Sequence, residues 1–241
     1  MKSYSFLFIL LFTAASLMAQ PFVEIQSGLP AIGRSAVAFA DFDTDGDLDL
    51  VMLGLDNASN TIGKVFLNQQ GNFVEIVSGI EGLYNSAIAV ADYDQDGWMD
   101  VVMTGQDETG NATRLYKNTG NGIFTLIDAG FYPAGADGDL AWGDYNNDGF
   151  PDLIVSGGWD TRLYRNNGNG TFEEVNAGLA LMNSPSVDWG DCDNDGDLDL
   201  LMVGDAGSVG ETFVYINENG TFSRLDVMIE GAVGGMASWG D

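Results

Sequence analysis

The chain has 241 residues, 45 % of them apolar, and carries 36 acids against 8 bases, a net charge of -28. That composition is globular rather than disordered, and its charge argues against nucleic acid or an anionic membrane surface as a partner while favouring cations. The absence of histidine removes His-based catalytic triads and His-ligated zinc, and the single cysteine, Cys192, rules out an internal disulfide framework.

The first element in chain order is "MKSYSFLFILLFTAASLMAQ". Lys2 supplies a positive start, Phe6 to Ala19 is an apolar run, and Ala19 offers a small residue for cleavage. Residues 1–19 read as a secretory signal peptide. The run is shorter than the ~20 apolar residues of a membrane span, and no cysteine follows it to carry a lipid. Residues 20–241 would then be the mature chain, with no membrane span. It begins with "FVEI", Phe22 to Ile25, a copy of Phe73 to Ile76 that reads as the last strand of a unit.

Four units of about fifty residues follow. Each opens with a short alternating segment: "SAVAFA", "SAIAVA", "GDLAWG" and "PSVDWG". An aspartate-rich loop comes next, at 41–49, 92–100, 144–152 and 191–199. Then come an apolar run, such as "LVMLG" or "LLMVG", and two strand-like stretches around an Asn/Gly turn, such as "RLYRNNGNGTFEEV". The pattern predicts four short strands per unit and no helix. An all-β fold with this period predicts a β-propeller built from four-stranded antiparallel blades, with a solenoid as the competing architecture. "SWG" and Asp241 repeat the entrance to a fifth loop, so the sequence predicts about four complete blades, the inner strand of a fifth, and closure by further blades of a longer chain.

The loops raise a physical question. Two carboxylates ~4 Å apart repel by about 1 kcal/mol in water and about 4 kcal/mol at an effective dielectric near 20. Oxygen-bearing side chains recur at positions 1, 3, 5 and 9: Asp41, Asp43, Asp45, Asp49; Asp92, Asp94, Asp96, Asp100; Asp144, Asn146, Asp148, Asp152; and Asp191, Asp193, Asp195, Asp199. Position 6 is always glycine, and position 7 varies (Asp47, Trp98, Phe150, Asp197), which points to its backbone carbonyl as the useful group. Hard oxygens in a tight turn are the ligand set of Ca²⁺, with its six to eight contacts. An EF-hand would need Glu at position 12; Met52, Met103, Val155 and Met202 stand there and belong to the next strand. A merely solvated acidic turn does not explain four in-phase copies.

With these loops, the apolar strand after each and the "LYRNNGNGTF"-type hairpins, residues 20–241 resemble FG-GAP/VCBS repeats of integrin-α-like propellers and their bacterial relatives, although the Gly-Ala-Pro tripeptide of the integrin type is absent. The resemblance implies a calcium-stabilised extracellular propeller used mostly for binding; some relatives are joined to, or form, polysaccharide-degrading enzymes. The leading expectation is a secreted or cell-surface module for adhesion or recognition of a glycan or protein, with structural calcium. The alternatives are a domain or scaffold of a secreted lyase or hydrolase, for which no catalytic constellation is visible, and a plain spacer.

Remaining residues divide by position. Trp142, Trp189 and Trp239, two residues before a first Asp, read as packing between blades, with Phe39 and Val90 in the same place earlier. Cys192 takes the position of Phe42, Tyr93 and Tyr145 and reads as a small buried hydrophobe. Sequons begin at Asn57, Asn111, Asn169 and Asn219, two of them in hairpin turns that Asn-Gly geometry already explains. Loops alternate between the two faces of an up-and-down blade. The face opposite the aspartates should therefore carry Arg34, Tyr84, Tyr132, Trp159 and Asp160, and ligand is expected there first.

Overall fold

The computed structural model describes residues 28–207, 209–226 and 229–240. The signal-peptide reading, the Phe22 to Ile25 strand and Asp241 lie outside them.

Among the described residues, sixteen strands form four sheets. The first blade holds β1 (Gly33–Ala40), β2 (Asp49–Leu55), β3 (Thr61–Gln69) and β4 (Asn72–Ile76). The second holds β5 (Tyr84–Ala91), β6 (Asp100–Asp107), β7 (Gly110–Asn118) and β8 (Phe124–Ile127). The third holds β9 (Asp139–Gly143), β10 (Asp152–Gly157), β11 (Asp160–Asn166) and β12 (Phe172–Val175). The fourth holds β13 (Asn183–Gly190), β14 (Asp199–Asp205), β15 (Gly210–Glu218) and β16 (Thr221–Leu225). Every blade pairs in simple sequence order with antiparallel neighbours. This is the expected β-propeller architecture. Among the described residues no helix is long and apolar enough to cross a membrane.

The second strand of each blade explains the apolar runs. A strand with one solvated face alternates, whereas one covered on both faces is apolar throughout. Here the two faces of one blade pack against the two neighbouring blades. Val51, Leu53 and Val65 meet Val101, Met103 and Tyr116 of the second blade. Val102 and Leu115, on the other face of that blade, meet Leu153 and Val155. Ile154 and Leu163 then meet Leu200, Met202 and Phe213. Each fully buried side chain of this size contributes about 1.5–3 kcal/mol through area removed from water. The inner strands β1, β5, β9 and β13 sit beside one another in succession, and the outer strands such as β4 and β16 are largely exposed.

The links between blades are pinned by a tyrosine on the third strand of the second, third and fourth blades. The hydroxyls of Tyr116, Tyr164 and Tyr215 accept the backbone N–H groups of Glu81, Tyr132 and Ala180 at 3.2, 2.8 and 2.9 Å. Tryptophan packing follows the sequence expectation. Trp142 stacks on Tyr93 of the preceding blade with centroids 6.3 Å apart, and Trp189 stacks on Tyr145 at 6.4 Å. The glycine after Trp142 is needed for close approach: a Cβ on Gly143 would lie 2.7 Å from the Trp189 ring. Phe39 is instead 53 % exposed, on a flank of the first blade, where its ring lies 6.5 Å from that of Phe73 in its own blade.

Two expectations are corrected. Cys192 is exposed rather than buried. Phe42, Tyr93 and Tyr145 are buried because an aromatic from the fourth strand of the next blade covers each: Phe124, Phe172 and Phe222. No such strand lies over Cys192 among the described residues, where only Trp239 and Gly240 flank it. Residues 229–240 do not form the expected fifth inner strand. A strand needs a ladder partner, and this segment holds to β13 through scattered bonds: Trp239 donates its N–H to Asp188 Oδ2 at 3.0 Å and its indole N–H to Asp188 O at 3.3 Å.

Candidate functional site

The four loops share one backbone geometry. Position 4 (Thr44, Gln95, Asn147, Asn194) has φ of 56–61°, and position 6 (Gly46, Gly97, Gly149, Gly196) has φ of 91–98°. Two left-handed residues separated by one wind the turn back on itself, and only glycine takes the second conformation without strain. Position 1 sets the turn. One oxygen of Asp41 accepts the N–H of Asp45 at 3.1 Å and the other that of Gly46 at 3.0 Å. Asp92, Asp144 and Asp191 repeat this pair. At position 5, Asp45, Asp96, Asp148 and Asp195 accept the N–H of position 7.

Position 9 lies beneath. Asp49, Asp100, Asp152 and Asp199 are fully buried. Asp49 binds the N–H of Phe42 at 2.8 Å and of Asn68 at 2.7 Å, bridging its own loop to the third strand. Asp100 and Asp199 repeat the bridge. In the third loop the Tyr145 N–H turns to Gly143 O instead, leaving Asp152 Oδ2 buried without a hydrogen bond. Burial pushes the carboxyls of Asp100 and Asp152 up to about 7 against the lowering effect of their N–H donors. It also raises Asp49, Asp43 and Asp193, each with help from neighbouring carboxylates.

The expected oxygens converge. Carboxylate oxygens of Asp41, Asp43 and Asp45 lie within 4.8 Å of one another, as do those of Asp92, Asp94 and Asp96, and those of Asp191, Asp193 and Asp199. The third loop makes no such all-acid group because Asn146 stands at position 3, where its Oδ1 accepts the Asp148 N–H at 2.9 Å. Asp94 Oδ1 is buried without any hydrogen-bond partner. An orphaned carboxylate oxygen inside a cluster of acids is the environment a hard cation would satisfy, so the residues present fit Ca²⁺. Side chains at position 7 go elsewhere. Trp98 and Phe150 lie over the hairpin-turn glycines Gly120 and Gly168, and Asp197 accepts the Asn219 N–H at 2.7 Å; Asp47 is half-buried.

Two residue sets here went unnoticed in the sequence. The first is an asparagine ending each third strand. Asn118 Nδ2 donates to Phe42 O in the first blade's loop at 2.9 Å and to Met99 O in its own at 3.2 Å. Asn166 does the same with Tyr93 O and Pro151 O, and Asn217 with Tyr145 O and Leu198 O. Asn68 makes only the bond within its blade, to Leu48 O at 3.1 Å. These residues read as turn formers, yet their recurrence in all four units was the available signal. The second set is position 4, where Gln95 reaches Gly149 O at 2.5 Å and Asn147 reaches Asp197 Oδ1 at 2.7 Å, joining successive loops along one face.

The opposite face does not bring its five expected residues together. Arg34 and Tyr84 line an open cleft of about 1090 Å³ between the first two blades, with Lys64, Glu75, Asp107 and Arg114. The two latter bases are paired with acids there. Asp160 instead binds Arg162 at 2.9 Å, whose guanidinium lies 4.6 Å from the centre of the Tyr132 ring. Trp159 is 48 % exposed at the loop tip with φ of 67°, its N–H tied to Met182 O at 3.0 Å.

Comparison with known proteins agrees with this geometry. Human integrin alpha-7 is 33 % identical over 121 residues, 46 % of this chain and 10 % of that protein, so the chain spans about a tenth of this relative's length. A solved Agrocybe aegerita lectin, described for recognition of non-reducing terminal N-acetylglucosamine, superposes with a TM-score of 0.53 at 22 % identity. It covers 77 % of this chain and 49 % of the lectin, a likeness of fold. Residues 41–103, 92–155 and 144–202 each match the FG-GAP-like repeat, every match opening on the first aspartate of a loop, and the chain therefore belongs to the FG-GAP-like repeat family.

Proposed function

We propose that this chain is a calcium-stabilised propeller module that acts outside the cell or at its surface by binding a glycan or protein. The observation that carries the calcium reading is the convergence of carboxylate oxygens in three of the loops, with Asp94 Oδ1 among them buried without a partner. Asp41, Asp43, Asp45 and Asp49, and their counterparts in the other three loops, would hold the ion together with the position-7 carbonyls. The bound ion would supply positive charge to loops that otherwise repel themselves. The loops sit over the seams between blades, so neutralising them stiffens the stack rather than making or breaking a covalent bond. The ligand reading is supported by the likeness to integrin alpha-7 and by the exposed Trp159 on the face away from the loops. A location outside the cell is supported by that likeness and by the signal-peptide pattern of residues 1–19.

Melting of the chain in calcium and after chelation tests the metal, with a lower melting temperature expected on chelation; an unchanged melt overturns it. Glycan and extracellular-protein arrays test the ligand, with Trp159→Ala expected to weaken any hit while leaving the melt unchanged. Turnover of a polysaccharide panel would favour an enzyme instead.

A further inference from the structure

We propose that Lys117 is a tethered cation of the second loop, competing with the metal there and holding the loop closed in its absence; this rests on the calcium reading above. The Lys117 ammonium contacts Asp94 and lies 2.9 Å from Asp96, the side chains of positions 3 and 5. All three are partly buried, with side-chain exposures of 30 %, 19 % and 32 %. Lys117 is the residue before the Asn118 latch on β7. The same position holds Leu67 in the first blade, Arg165 in the third and Ile216 in the fourth.

Charge covaries with that position. The loops facing Leu67 and Ile216 carry a fifth acid, Asp47 or Asp197, whereas the loops facing Lys117 and Arg165 carry Trp98 or Phe150 instead. A base is present at this position only where the fifth acid is missing. The two bases nevertheless behave differently, for a local reason. Arg165 pairs across the ladder with Glu173 and binds its carboxylate at 2.6 Å. Lys117 faces Thr125 across the ladder, which offers no carboxylate, so its ammonium goes to the loop. Asp94 Oδ1 still lacks a partner beside it, which leaves the loop able to draw in a metal. To do so the metal must displace or accommodate a charge already in place, so the second loop binds calcium more weakly than its four aspartates alone would.

The test compares the wild-type chain with Lys117→Met. Terbium stands in for calcium, with luminescence sensitised by Trp98 in the same loop, and Trp98→Phe identifies the second-loop signal. Lys117→Met is expected to tighten the second loop about tenfold, equivalent to about 1.4 kcal/mol, and to lower the melting temperature in chelator. The reciprocal variant Ile216→Lys, whose cross-strand neighbour is Ser223, is expected to weaken the fourth loop by a similar factor. Wild-type chain that binds the ion, with Lys117→Met binding it no tighter and melting unchanged in chelator, overturns the role of Lys117. Wild-type chain that takes up no ion at all overturns the calcium reading and the competition with it.

Discussion

Replacing Asn166 by alanine strips the seam between the second and third blades of its polar latch. Asn166 is 1 % exposed and makes three bonds that alanine cannot: to Tyr93 O at 2.8 Å, to Pro151 O at 3.1 Å, and from Gly168 N–H at 3.0 Å. A net hydrogen bond is worth about 1 kcal/mol, and each buried group left unsatisfied adds about 1–3 kcal/mol. Tyr93 is buried, so its carbonyl has little access to water and a loss of about 3–5 kcal/mol is expected. Asn68 provides the internal control. It occupies the same position in the first blade but is half-buried, and its two bonds, to Leu48 O and from Gly71 N–H, stay within its own blade. Asn68→Ala should cost about 1 kcal/mol. Urea unfolding in saturating calcium measures both from the midpoint and slope. Equal costs for the two variants would refute the argument that the bond between blades is what matters. A drop in slope for Asn166→Ala would mean that the third and fourth blades unfold separately from the first two.

In calcium-free protein, stability should fall as pH rises toward neutrality. Asp100 and Asp152 have folded pKa values raised to about 7 from 3.8, so the folded chain holds their protons more tightly than the unfolded chain. That contribution is fully present below about 4 and is lost as pH climbs through about 7; Asp100→Asn should flatten the dependence in thermal melts. Gly143→Ala should cost about 1–3 kcal/mol by driving a methyl into the Trp189 ring, read as a lower urea midpoint. Asn146→Asp should tighten the third loop, the one with three acids where the first and fourth have five. A wild-type third loop that fills before those two would show that charge count does not govern affinity.

Sequence alone determined the repeat, the strand order within each blade and the aspartate positions, because all three are local. A turn with glycine at position 6 and oxygens at alternating positions is written in nine consecutive residues, and an apolar run between two turns is a covered strand wherever it lies. What depends on a neighbouring blade was decided only by tertiary structure. Cys192 occupies the place of three buried aromatics, yet burial there comes from a phenylalanine about eighty residues further along, and no such residue covers it among those described. Asn118, Asn166 and Asn217 look like turn formers in one dimension and become latches because packing brings another blade's carbonyl within 3 Å. Lys117 and Arg165 are nearly the same residue in the sequence. Threonine or glutamate across the ladder sends one ammonium into an aspartate loop and keeps the other guanidinium on its own sheet, a difference set by register and not by composition.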